Sequence, residues 1–172
     1  MASVDTIRQI AERNVRILEL KPAKGHLTGT TIARLERGLR CEIEEGPWRL
    51  HADMPAKVGG EQTAPTPGML GRGALASCLA IGIAVWAARL GVPLDGVEVG
   101  VEADFDARGE MGFAGIAPGY SEVRYRIAID SPAPEPEVLA LLDRVERHSP
   151  YLDVFGRALP LGRTVQLNRR EA

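Results

Sequence analysis

Residues 67–90 read PGMLGRGALASCLAIGIAVWAARL, and the fold turns on how that stretch is taken. No charge lies between Arg72 and Arg89, and Ala and Gly are spread over every side of the run. Pro67 suits the first helical position, where its missing N–H costs nothing. Gly91 then stops the run and Pro93 forbids its continuation, which is how helices end. A helix apolar on all sides must be buried on all sides, in a core or in lipid. Lipid takes roughly 20 predominantly apolar residues, and the charge-free part of this run falls short. The expectation is a core helix that other elements wrap, with one thiol, Cys78, at its middle.

Downstream of that helix, Val97, Val99, Val101, Ala103 and Phe105 alternate with Glu98, Gly100, Glu102 and Asp104. Period two of this kind marks a strand with one face in the core and one in water. A glycine-rich turn region, 109–119, leads to a second such strand, in which Val123, Tyr125, Ile127 and Ile129 face one way and Glu122, Arg124 and Arg126 the other. The two predict a long antiparallel hairpin. Ser131-Pro-Ala-Pro-Glu-Pro-Glu then opens a helix, since prolines are tolerated in a first turn and acidic residues there suit the dipole. Its stripe is Val138, Leu141, Leu142 and Val145, and Pro150 is expected to end it. Thr164–Asn168 is expected as a short closing strand.

Upstream, Leu39, Cys41 and Ile43 alternate with Arg40, Glu42 and Glu44, and Trp48, Leu50 and Ala52 alternate again after the turn chemistry of Glu45-Gly46-Pro47. This predicts a hairpin or meander with Cys41 pointing inward, followed by a connector rich in Pro and Gly over 54–67. Ile7, Ile10 and Val15 or Leu18 recur at helical spacing, so residues 1–27 are read as an N-terminal helix or arm and 28–172 as the main domain. The order of elements is that of an α+β domain, with antiparallel sheets around the long buried helix. An open sheet covers only one side of such a helix, so an obligate homodimer with the two central helices packed together is expected.

A chain of 172 residues is long enough to bury a core of its own. A net charge of −2 argues against nucleic acid or an anionic membrane as partner. The opening MASVDTIRQIAERN has no secretory apolar region, which leads to the expectation of a cytoplasmic protein. A disulfide between Cys41 and Cys78 is disfavoured in a reducing compartment. The three histidines are scattered, no metal site is legible from ligand spacing, and no cofactor is expected.

Cys78 is the first candidate for chemistry. A free Cys in an apolar helix is more often inert packing than a nucleophile, because reactive thiols need an electropositive neighbourhood. Arg72, nearly two turns upstream, and Arg34, Arg37 or Arg40 from the meander are the groups able to supply one. A pairing of Ser149 with His148 for hydrolysis is a further reading, weakened because adjacent side chains at a helix end diverge and no orienting acid is evident.

The run GGEQTAPTPGMLGRGALASCLA (59–80), the RLGVPL that follows and the strand VEVGVEADFD (97–106) resemble the OsmC/Ohr family, as does the later VERHSPY (145–151). That resemblance implies an intertwined α+β homodimer and, from the family's founding members, a thiol peroxidase acting on organic hydroperoxides. It further implies a peroxidatic cysteine at Cys78 and an activating arginine at Arg37, with Arg40 second. The family's activating carboxylate follows the proline of the Thr-Pro pair, and here that position is Gly68. Its resolving cysteine falls on Ser149. Arg72 has no counterpart in the pattern and is read as lying near a pocket mouth, where it binds an anionic group.

These departures leave two principal readings. One is an oxidoreductase with a single cysteine, in which Cys78 is oxidised by a small organic hydroperoxide and an external thiol reductant recycles it. The other is a non-catalytic protein on the same scaffold that binds a small apolar ligand in the Cys78 pocket.

Overall fold

A computed structural model describes residues 3–168 of the chain. Helix α1 spans Val4–Leu20, capped by Ser3, whose hydroxyl accepts from the Thr6 N–H. A single 3-10 turn over Pro22–Gly25 leads to three strands, β1 Ile32–Arg37, β2 Arg40–Glu45 and β3 Trp48–Ala52. They form an antiparallel meander in the order β1-β2-β3. The turns at Gly38 and Gly46 both need positive φ, 58° and 54°, which glycine adopts without strain.

Helix α2 occupies Pro67–Leu90, as its punctuation predicts. Thr66 caps it by accepting from the Met69 N–H at 3.2 Å, Pro67 is in its first turn, and Gly91 closes it in the left-handed conformation. Strands β4 Gly96–Phe105 and β5 Tyr120–Asp130 form the expected hairpin, paired from Gly96–Asp130 to Phe105–Tyr120. Helix α4 covers Glu135–Arg147.

The core is a single stripe of α2, comprising Leu75, Leu79, Ile83 and Ala87, packed against Leu141 and Val145 of α4. The inner valines and isoleucines of β4 and β5 close over it. An ideal Cβ on Gly82 would lie 3.3 Å from Val145 Cγ1, so the absent side chain lets the two helices approach closely. Helices α1 and α4, strand β4 and a further helix, α5 (Pro150–Gly156), all pack on α2. At 24 residues and mean hydropathy 1.7, α2 also has the length and composition of a membrane span. Its packing partners are those of a core helix.

Three expectations are corrected. Thr164–Asn168 has no regular structure, since no partner strand among the described residues offers it hydrogen bonds. Pro150 does not merely end α4: it opens a further helix, α5 Pro150–Gly156, as its first residue. The glycine-rich region after β4 begins with a one-turn helix, α3 Ala107–Glu110, capped by Asp106. As the sequence leads one to expect, a single chain does not cover α2 on all sides: Ile81 at its middle is 64% exposed.

Candidate functional site

Cys78 lies half-buried on α2, facing the junction of α4 and α5. The group that meets its sulfur is the hydroxyl of Ser149, with Sγ and Oγ 3.8 Å apart. Ser149 is buried (7% exposed) and is the N-cap of α5, where its oxygen accepts from the Leu152 N–H at 3.3 Å. With that cap made, the Ser149 hydroxyl still has a proton and a second lone pair, so either it or the Cys78 thiol can be the donor between them. Cys41 is on β2 in another layer, its thiol 3.7 Å from the Glu42 carbonyl oxygen, and both cysteines are free.

The meander arginines are placed differently. Arg37 ends β1 and is exposed, and no hydrogen bond joins it to Cys78 within the chain. The strand that carries it shares no extended interface with α2. Arg40 is committed elsewhere, its Nε to Glu36 at 2.9 Å and its Nη1 to Thr63 Oγ1 at 2.7 Å. Arg34 pairs with Glu44 at 2.7 Å on the charged face of the sheet. One chain therefore brings Ser149 to Cys78, and none of the meander arginines hydrogen-bonds the sulfur within it.

Arg72 belongs to a separate cleft of about 500 Å³ at the start of α2. Its Nη1 donates to the Tyr120 hydroxyl at 3.3 Å, and that hydroxyl donates to the Gly68 carbonyl at 3.2 Å. Gly68, one turn before Arg72, contributes no side chain. A Cβ there would lie 3.4 Å from the Tyr120 oxygen and 3.5 Å from Arg72 Nη1.

Sequence reading missed Asp53. It is 1% exposed and holds the β3–α2 connector together. Its carboxylate accepts from the Thr63 N–H and hydroxyl, both at 2.9 Å, and from the Met54 N–H at 2.7 Å. The Thr63 N–H, above all, keeps its pKa below the usual carboxylate value, against the opposing cost of burial. An Asp directly before a loop is a known turn-former, but its partner ten residues on cannot be read from spacing. Also missed were Glu36, Glu42 and His51, whose ligand-type atoms lie within 4.8 Å of one another on the meander. The cross-strand pair Glu42–His51 makes that group, so register rather than sequence spacing creates it. Arg40 already answers the Glu36 charge.

His148 does not engage Ser149. Its Nδ1 lies 2.8 Å from the Arg144 carbonyl oxygen, and its ring packs on Trp86 with centroids 5.1 Å apart. The hydrolytic pairing is thereby lost.

A family model described as OsmC-like protein matches residues 59–162. An OsmC-like protein from Mycoplasma pneumoniae superposes with a TM-score of 0.65 at 16% identity, over 76% of this chain and 88% of that one. An organic hydroperoxide resistance protein OsmC from Legionella pneumophila gives 0.56 at 23% identity, over 75% and 89%. An organic hydroperoxide resistance protein from Elizabethkingia anophelis gives 0.57 at 15%, over 75% and 88%. Identities this low speak for a shared fold. No curated protein sequence matches the chain.

Proposed function

The chain belongs to the OsmC-like protein family, and from that premise we propose that it reduces organic hydroperoxides with one cysteine, Cys78. The thiolate attacks the outer oxygen of ROOH. An S–O bond forms, the O–O bond breaks, and RO⁻ leaves as the alcohol after taking a proton. Cys78 is then a sulfenic acid. One external thiol condenses with it, releasing water and leaving a mixed disulfide. A second thiol releases Cys78 and carries away the oxidised pair.

The observation that carries this reading is the 3.8 Å contact between Cys78 and Ser149. The family pattern sets its resolving cysteine at position 149, and that position adjoins the sulfur. A hydroxyl cannot trap a sulfenic acid as a disulfide, so the reducing equivalents come from outside. Arg37 supplies the activating guanidinium from a second subunit in a homodimer, because within one chain it is exposed and makes no hydrogen bond to Cys78. The same dimer covers the open side of α2. The protein works in the cytoplasm, where small thiols are abundant.

Intact-mass analysis after stoichiometric cumene hydroperoxide tests the reading. The wild type gains one oxygen, about 16 Da, at Cys78, and Cys78→Ser gains none and consumes no peroxide. A wild type in which Cys41 is oxidised while Cys78 stays unmodified would defeat it. No oxidation at either cysteine, with a small apolar molecule retained through purification, would favour the non-catalytic binding protein.

A further inference from the structure

The cleft at the start of α2 has a chemistry separate from the thiol. Its walls are apolar, among them Phe105, Met111 and Pro118, and its floor carries the Arg72 guanidinium. Tyr120 has one hydroxyl proton, and it is donated to the Gly68 carbonyl. A lone pair of the same oxygen therefore faces Arg72 Nη1 and sets the plane of the guanidinium. Among the described residues, Tyr120 is the one hydrogen-bond partner Arg72 has, and no carboxylate lies within ion-pair distance of it. Four of its five N–H donors are left for something else. At the rim stand two exposed residues of opposite charge, Lys57 and Glu110, which offset each other.

A half-buried guanidinium, oriented by a neutral phenol and surrounded by hydrocarbon, is matched by a planar anion on an apolar body. We propose that this cleft binds an organic monocarboxylate with an aliphatic tail. The carboxylate sits on Arg72 in the space that a side chain at residue 68 would fill, and the tail lies along Phe105 and Met111. A volume of about 500 Å³ is within the range of small-ligand sites. Tyr120 is a positioning residue that holds Arg72 in place. Cys78 does not line the cleft, so this site goes beyond the peroxide reading and does not rest on it.

Calorimetric titration of the full-length protein with octanoate, and with octanol as the uncharged counterpart, tests the assignment. Octanoate is expected to bind about tenfold or more tightly than octanol. Arg72→Gln should remove that preference and leave octanol binding as it was. Gly68→Glu places a tethered carboxylate on Arg72 and should abolish octanoate binding, so a second variant reports on the same contact from the opposite side. Tyr120→Phe should weaken octanoate several-fold without affecting octanol. Octanoate and octanol binding equally, or octanoate affinity surviving both Arg72→Gln and Gly68→Glu, would overturn the site. So would its loss in Cys78→Ser, which would put the ligand at the sulfur instead.

Discussion

The two sheets of this protein are written in the same alternating pattern and end in different surroundings. In the β4–β5 hairpin, Val97, Val99, Val101, Ile127 and Ile129 close over α2, and Arg124 and Arg126 pair with acids on the water side. The meander is just as amphipathic. Its register puts Ala33, Ile43 and Leu50 in one row and Leu35, Cys41 and Ala52 in the next. Arg34, Glu42, Glu44, Arg49 and His51 occupy the opposite face. Yet Trp48 and Leu35 on the apolar side are 72% and 68% exposed. The difference teaches that an amphipathic pattern promises a cover without saying which chain provides it. Under the homodimer we propose, the second copy covers the meander and the open side of α2 together.

The widest contrast between the two regions is expected from truncating one large apolar residue in each. Leu79→Ala, in the core under β4–β5, should cost about 2–5 kcal/mol in denaturant unfolding. Trp48→Ala should leave the fold of each subunit intact and weaken self-association by on the order of 2–4 kcal/mol, read by sedimentation equilibrium. An unchanged association constant, with stability within about 0.5 kcal/mol of wild type, would mean that water alone faces the meander. Gly82→Ala sharpens the covered side. The better helix propensity of Ala is outweighed by crowding against Val145, and a net loss of about 1 kcal/mol is expected in the same unfolding assay.

Asp53 tests the hinge between the meander and α2. Its folded pKa is lowered, so its contribution is fully present above the unfolded-chain value near pH 4 and fades as pH falls through the lower folded value. Limited proteolysis should therefore show segment 54–66 protected at neutral pH and opening in acid. Asp53→Asn should be open at neutral pH, with little further change on acidification. The smallest effect belongs to the outer face of the hairpin. Arg126 and Glu98 are both well exposed, and Arg126→Ala should change stability by less than about 0.5 kcal/mol.

Much of the architecture was legible because it rests on local chemistry. Thr66, Pro67 and Gly91 delimit α2 through cap geometry that involves only near neighbours. The β4–β5 hairpin follows from two matching period-two runs joined by glycines. Pro150 was read as a stop when it is a start, since a proline after one helix and before another has the same local appearance. Thr164–Asn168 carries an alternation that no partner strand among the described residues takes up. For the candidate site, the sequence could nominate Cys78 and Arg72 by residue type and Ser149 through the family resemblance. It could not tell that Ser149 would meet the sulfur while Arg72 turned to Tyr120, 48 residues away.

What the chain determined by itself was the long apolar helix, the amphipathic strands and the single thiol at the helix centre. All three come from periodicity and capping, which act over a few residues. Tertiary structure alone decided that the hydroxyl at 149 rests on Cys78, that Asp53 binds the connector through Thr63, and that the α2 entrance holds a guanidinium without a counter-charge among the described residues. Those arrangements depend on how α5, β5 and the connector pack around α2. Packing is settled by shape and burial over the whole domain, not by neighbours along the chain.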